Sequence, residues 1–364
     1  MNYDVPVKLT SPRVWRTYQG GSRIDAIHGI ADGKDSQFPE EWIMSVVNAR
    51  NAGREHIQDE GLCYLEGTAV TLREYIDADP AAALGRNHAQ RIGNTPGVLV
   101  KLLDSAERLT IQVHPDKQQA RRLFDSAFGK TECWHILECR SIDGQEPCIY
   151  LGFREGITRE YWQKVFREQD IPAMLNCLHR IPVKPGETYL VRGGVPHAIG
   201  PGCLLVEIQE PTDYTVRTER VSPKGLAISD RQCHQGLGFE KMFDCFTYQG
   251  CSLEEAYNAW QIPAAVLEDT RAYTRLELVG RNHTPCFGME RFEVRGDCRI
   301  CTDGRMCGLY ILKGSGHIQA AGQRIPVKAG EQFFVPAACA AFDIIPVETL
   351  TVFRCMGPWI LPGE

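Results

Sequence analysis

The chain lacks any apolar run long enough to cross a bilayer, and that excludes a helical membrane protein at the outset. Its first residues, MNYDVPVKLTSPRVW, hold neither an apolar core nor a small-residue cleavage site. No secretory signal is therefore expected, and the chain reads as cytoplasmic. An excess of positive charge is also missing. Forty Lys and Arg face 46 Asp and Glu, for a formal net charge of −6. A general electrostatic attraction to nucleic acid is thereby excluded as an expectation, although local cations can still line a pocket for a small anion. Low-complexity segments are absent, as is a glycine-rich phosphate loop leading into a helix. Cysteine is plentiful, at 15, but a pairing pattern is not. The one C-x-x-C, Cys298 to Cys301, has no second pair at zinc-finger spacing. Most other cysteines lie in apolar runs such as GCLLVEI and MFDCFTY, where a reduced thiol packs as a small hydrophobe.

What is present is a succession of short β-rich runs between scattered glycines and prolines: LTIQVHP, CWHILEC, CIYLGF, ETYLVRG, LLVEIQE, RLELVG, GLYILKG, EQFFVPA and LTVFRCM. That rhythm predicts a mainly β sandwich or barrel. Helical patterns are fewer. One covers residues 72–84 and breaks near Pro80. A second covers 116–128. The longest covers 157–178, with Thr158 as N-cap and an interruption at Asp170-Ile171-Pro172. The polar stretch 223–238 reads as a loop over a pocket. SLEEAYNAW, within 240–265, marks the expected boundary between a domain at 1–240 and another at 265–364.

The two halves carry a repeat. Gly186-ETYLV-Arg192-Gly-Gly194-Val-Pro-His197 and Gly330-EQFFV-Pro336-Ala-Ala338-Cys-Ala-Ala341 share the spacing G-x5-P-x-G-x2-H. The first copy keeps the histidine; the second has Ala341 in its place. That spacing resembles the second cupin motif. The resemblance implies two related jelly-roll barrels with short helical insertions, and a metal position retained only in the first.

Candidate ligands come from three places. In LTIQVHPDK, Gln112 and His114 alternate on a strand and project to one face, where an amide oxygen and an imidazole could share an ion. A hydrogen-bonded polar pair on a barrel wall would look the same. In GKTECWHIL, Glu132 enters an apolar strand and needs a cation or a salt-bridge partner. His135 and Glu138, on that strand, read as structural. His197 sits in the glycine-flanked VPHAIGPG turn.

Taken together, Gln112, His114, Glu132 and His197 resemble the ligand pattern of the type I mannose-6-phosphate isomerases. PEEWIMSV, PGVLVKLLDSAERLTIQVHPD, GKTECWHIL and EIQEPTDYTVRTER are similar to that family's blocks, densely from residue 39 to 220 and more thinly beyond. Glu132 and His197 are 65 positions apart, which resembles the short bacterial subclass rather than members with a large helical insertion there. The resemblance implies one Zn2+ per chain and a sugar-phosphate substrate, mannose 6-phosphate exchanging with fructose 6-phosphate through a cis-enediol. Glu207, on the LLVEIQE strand ten residues after His197, is expected as the proton-transfer base, with Glu210 and Asp213 as further candidates; Arg217, which matches the family's arginine ten residues after that glutamate, is expected to stabilise the enediolate or grip substrate oxygens, and Lys130 to lie beside the metal. Lys101, Thr110 and Lys224 are expected to hold phosphate, and Asp213 to orient Arg217. Other readings stay open at this point: a different metal-dependent cupin enzyme such as an iron dioxygenase, a non-catalytic sugar-binding cupin, or an isomerase of another sugar or sugar phosphate.

Overall fold

A computed structural model describes residues 1–360. The strands form four sheets, and their ladders are antiparallel throughout. In one pair, a seven-stranded sheet is centred on Leu99–Asp104, Glu132–Cys139 and Cys203–Gln209. It faces a five-stranded sheet holding Gln112–Val113, Cys148–Phe153, Leu178–Pro182, His197–Ile199 and Val216–Arg217. The second pair repeats that plan. A seven-stranded sheet centred on Gly288–Val294, Cys307–Lys313 and Leu350–Met356 faces a four-stranded one of Cys298–Cys301, Ser315–Ala320, Gln323–Lys328 and Ala341–Pro346. The fold is thus mainly β, two jelly-roll units of the cupin kind.

Each unit is filled by its own apolar cluster. Trp134, Ile136, Leu151, Tyr189 and Leu205 fill the first; Phe292, Leu309, Phe333, Phe342 and Val352 fill the second. A third cluster lies between the two seven-stranded sheets, which pack back to back. Cys133, Val206 and Ile208 of one sheet meet Met289, Phe334, Phe353 and Cys355 of the other. Strand alternation divides these roles. On Glu132–Cys139, Trp134 and Ile136 point into the first unit, whereas Cys133 and His135 point toward the second. His135 donates to or accepts from Thr188 Oγ1 at 2.9 Å and lies against Phe353, so it is a core histidine. Buried Gln332 adds a polar stitch between the sheets, donating to the Trp42 carbonyl at 3.0 Å and accepting the Met44 N–H at 2.7 Å.

The helices decorate this frame. Leu72–Ala78 and Pro80–Leu84 meet at Asp79, whose carboxylate caps the second with proline in its first turn. Arg159–Glu168 and Ile171–Asn176 are capped by Thr158 and Asp170, and Trp162, Val165 and Phe166 cover the five-stranded sheet. Within 223–238 a short helix, Asp230–His234, interrupts the expected loop because Ser229 and Gln232 form a capping box. The 15 cysteines are free, and Cys301 is exposed. Among the described residues no helix is long and apolar enough to cross a membrane.

Strand pairing passes from the first unit to the second between Ile262, which pairs with Thr188, and Ala265, which pairs with Glu277. We propose the division of the chain there. One element crosses it: Val7–Leu9, near the start of the sequence, pairs with Gln332–Val335 in the second unit.

Candidate metal centre and its cleft

Two rungs of paired residues build the site. Arg217, Gln112 and His197 stand directly opposite one another on three neighbouring strands of the five-stranded sheet. On the facing sheet, Trp42, Lys101, Glu207 and Trp134 make a second rung. Paired residues direct their side chains to the same face, so both rungs present their polar groups to one interior. Glu132 joins from the position two before Trp134 on the same strand face.

The turn carrying His197 is clamped to the segment carrying His114. The Gly194 N–H donates to the His114 carbonyl at 2.7 Å. Gly193 packs so closely that a Cβ would lie 2.4 Å from Asp116 Cα, and Gly194 has φ of +85°. Only glycine suits both positions. Asp116 in turn caps the Lys117–Phe124 helix through a capping box with Gln119.

Three side chains then converge. His114 Nε2 lies 3.1 Å from Glu132 Oε1, and His197 Nε2 lies 3.7 Å from Glu132 Oε2. All three are buried, and their ligand atoms lie within 4.8 Å of one another. Each imidazole is oriented by its other nitrogen: Nδ1–H of His114 donates to the Tyr214 carbonyl at 2.8 Å, and Nδ1–H of His197 to the Val195 carbonyl at 2.9 Å. That fixes the tautomer and leaves each Nε2 lone pair facing the centre. Burial pushes the His114 pKa down to about 3, with the Lys130 charge adding to it, and burial lowers His197 as well, so both rings are neutral. Burial acts to raise the Glu132 carboxyl, but His114 and Lys130 hold it well below the usual range. Its Oε2 is buried without a hydrogen-bond donor. Two lone pairs and an unanswered carboxylate oxygen at these separations fit a divalent ion with bonds of about 2.0–2.2 Å. The Gln112 amide sits 3.3 Å from His197 Nε2, and a half-turn brings its oxygen to the same place.

A cleft opens beside this centre. Its lining includes Gln112, Glu132, Lys130, Lys101, Glu207 and Arg217. Lys130 Nζ is 3.2 Å from His114 Nε2, from Glu132 Oε1 and from Thr215 Oγ1. Glu207 Oε1 lies 3.0 Å from Lys101 Nζ, and its Oε2 accepts from Trp134 Nε1 at 3.2 Å. Burial, seconded by the Glu132 charge, raises the Glu207 carboxyl despite the two lysines. Burial lowers Arg217, whose Nη1 donates to the Thr215 and Gln232 carbonyls at 3.2 and 3.3 Å. Those carbonyls position it; Asp213 instead turns toward Arg16, 3.6 Å from Nη1. Thr110 is buried in the lining. Lys224 is not part of it: its backbone N–H is tied to Glu107 and its exposed ammonium rests 3.3 Å from Gln19 Oε1.

Arg16, Tyr18 and Glu40 are among the lining residues that escaped the reading of the sequence. Glu40 accepts from Tyr18 Oη at 2.8 Å, from Trp42 Nε1 at 2.8 Å and from Arg16 Nε at 2.9 Å, and lies 3.9 Å from Lys101 Nζ. Burial opposes its charge, yet Arg16 and Lys101 hold its carboxyl down at about 2. Spacing offered a clue, since Arg16 and Tyr18 alternate, as do Glu40 and Trp42.

Comparison with known proteins follows the same division. Residues 52–130 match the model of the phosphomannose isomerase type I catalytic domain, and residues 282–350 that of the mannose-6-phosphate isomerase cupin domain. Both matches are to models of the type I phosphomannose isomerases, the family that this chain is similar to. A relative within it, the putative mannose-6-phosphate isomerase YvyI of Bacillus subtilis, is 26% identical over 285 residues, 74% of this chain and 79% of that protein. The crystal structure of the mannose 6-phosphate isomerase from Bacillus subtilis superposes with a TM-score of 0.73 at 23% identity, covering 96% of this chain and 99% of the other. A mannose 6-phosphate isomerase crystallised with zinc and yttrium gives 0.70 at 16% identity, covering 98% and 100%. Both structures carry the fold.

Proposed function

We propose that the chain is a zinc-dependent aldose–ketose isomerase that interconverts mannose 6-phosphate and fructose 6-phosphate, with one ion per chain. The observation that carries this reading is the meeting of His114, Glu132 and His197 beside a cleft that also holds a buried carboxylate of raised pKa. Gln112 completes the ligand set. When bound, the ion supplies Lewis acidity to the sugar oxygens.

Glu207 is the base. It takes the proton from C2 and returns it to C1 on the same face, which makes the intermediate a cis-enediol. Its raised pKa brings it toward the strength needed for that transfer. Lys101 and the Trp134 N–H hold its two oxygens and so fix its direction. Arg217, on the rung of Gln112 and His197, donates to the oxygen on which charge develops. Lys130 contributes a second cation beside the ligands, and Thr110, Lys101 and Asp213 shape the substrate's seat.

Charge supports an anionic substrate. Arg16, Lys101, Arg108, Lys130 and Arg217 are matched by Glu40, Glu132, Glu207, Asp213 and by Glu219, which pairs with Arg108 at 2.6 Å. The cleft is neutral without an ion and carries two excess positive charges with a divalent one. A phosphate monoester dianion restores the balance. Such dianions cross membranes poorly, which places the work in the cytoplasm. A coupled assay should show turnover of mannose 6-phosphate that chelation abolishes and zinc restores. A metal-loaded chain inert toward this sugar but active on another would move the reading to that substrate.

A further inference from the structure

The guanidinium of Arg16 is held on two sides and unpartnered on the third. Nε donates to Glu40, and Nη1 to Asn51 Oδ1 at 3.2 Å, with Asp213 nearby. Its central carbon sits 5.0 Å from the centre of the Trp42 ring. Nη2 is buried and has no hydrogen-bond partner among the described residues, although Arg16 lines the cleft. The guanidinium is flat and its donors are fixed relative to one another. With Nε and Nη1 engaged and the face against Trp42, Nη2 cannot turn elsewhere. A buried charged donor without an acceptor is costly, so an acceptor arriving with the ligand answers it.

The nature of that acceptor follows from Arg217. Its fixed contacts are neutral carbonyls, and the charge of Arg16 is among the influences that lower its pKa. Two guanidinium groups that feel each other across one cleft are both relieved by an anion between them. Arginine suits a phosphate there because its planar donors match the phosphate oxygens.

We propose that Arg16 is a specificity-determining residue, donating from Nη2 to a non-bridging oxygen of the substrate's phosphate. This rests on the sugar-phosphate reading of the cleft. The test uses the full chain loaded with its metal, and inorganic phosphate as the probe. Arg16→Gln should weaken phosphate binding, measured by calorimetry and as competitive inhibition, at least tenfold. It should raise KM for mannose 6-phosphate similarly and change kcat less than threefold. Arg16→Lys keeps a cation beside Glu40 but loses the fork; it should show the same tenfold loss, and it carries the test if the glutamine variant does not fold. Phosphate binding within twofold of the wild type in either folded variant overturns the assignment, as does a fall in kcat at unchanged KM. A wild-type chain that neither binds phosphate nor turns over the sugar phosphate rejects the sugar-phosphate reading itself, before any variant is made.

Discussion

Glu207 and Arg354 occupy the same position in the two jelly rolls. Glu207 pairs with Lys101 on one side and Trp134 on the other; Arg354 pairs with Glu290 and Leu309. The registers match because Glu132 pairs with Val191 as Cys307 pairs with Val335, at corresponding points of the two motifs. The correspondence runs on: Lys101 matches Glu290, and Glu40 matches Arg275, each with its sign reversed. Gln112 and His197, themselves paired, match Cys301 and Ala341, themselves paired. The second jelly roll has thus lost its ligands and kept an inverted set of buried charges.

That inversion makes Arg354 a stability residue. It lies 3.6 Å from Glu290, whose other oxygen contacts Arg275 at 2.6 Å. Arg354→Met leaves Glu290 short of a buried partner and should cost about 3–5 kcal/mol. Denaturant unfolding should show the loss, and adding Glu290→Met should recover much of it. Bound metal in the first jelly roll should be unchanged in both variants.

Metal content should depend on His114. His114→Ala removes one of three converging ligands and should abolish stoichiometric zinc and turnover together. Elemental analysis of the purified, folded variant decides the matter. Full zinc with full activity would remove His114 from the ligand set.

Glu207→Gln separates binding from proton transfer. The variant should retain zinc, because Glu207 is outside the converging triad, while exchange of the C2 proton with solvent should fall by about 10³-fold. With Glu207 proposed as the base, the working form in the wild type is the carboxylate. Activity should therefore drop as pH falls through the Glu207 pKa, which burial places above the ordinary glutamate range. Wild-type exchange in the glutamine variant would assign the base elsewhere.

Glu40 links stability to acid. Its carboxyl is held at about 2, below the unfolded value of about 4.3, so its ion pairs stabilise the fold fully above the unfolded value. That stabilisation, about 3 kcal/mol, is lost as pH falls from there to about 2. Glu40→Gln should flatten the acid limb of a stability-against-pH curve between those limits. An unchanged limb would show that other carboxylates carry it.

Local pattern made part of this molecule readable in advance. Alternation put Gln112 beside His114 and set Glu207 opposite in direction to Val206, and a shared spacing paired the two motifs. Proline and capping residues marked the helices at Pro80 and Thr158. What escaped was long-range. Arg16 and Tyr18 meet Glu40 only because the sheet register brings their segments together; the alternation of Arg16 with Tyr18 and of Glu40 with Trp42 hints at a shared face but does not name the partner on the other segment. Lys224, expected to hold phosphate, follows Pro223, which lines the cleft, while its own ammonium rests beside Gln19.

The Val7–Leu9 strand sets an order on the making of this protein. It pairs with Gln332–Val335, roughly 330 residues further along. At about 5–20 residues per second of synthesis, those first residues wait on the order of 15–65 s for their partner to leave the ribosome. The second jelly roll cannot close its outer edge until both of these segments have been made. A recombinant fragment starting at residue 265 would be born with that edge bare, and it should self-associate until a peptide carrying residues 1–12 is supplied.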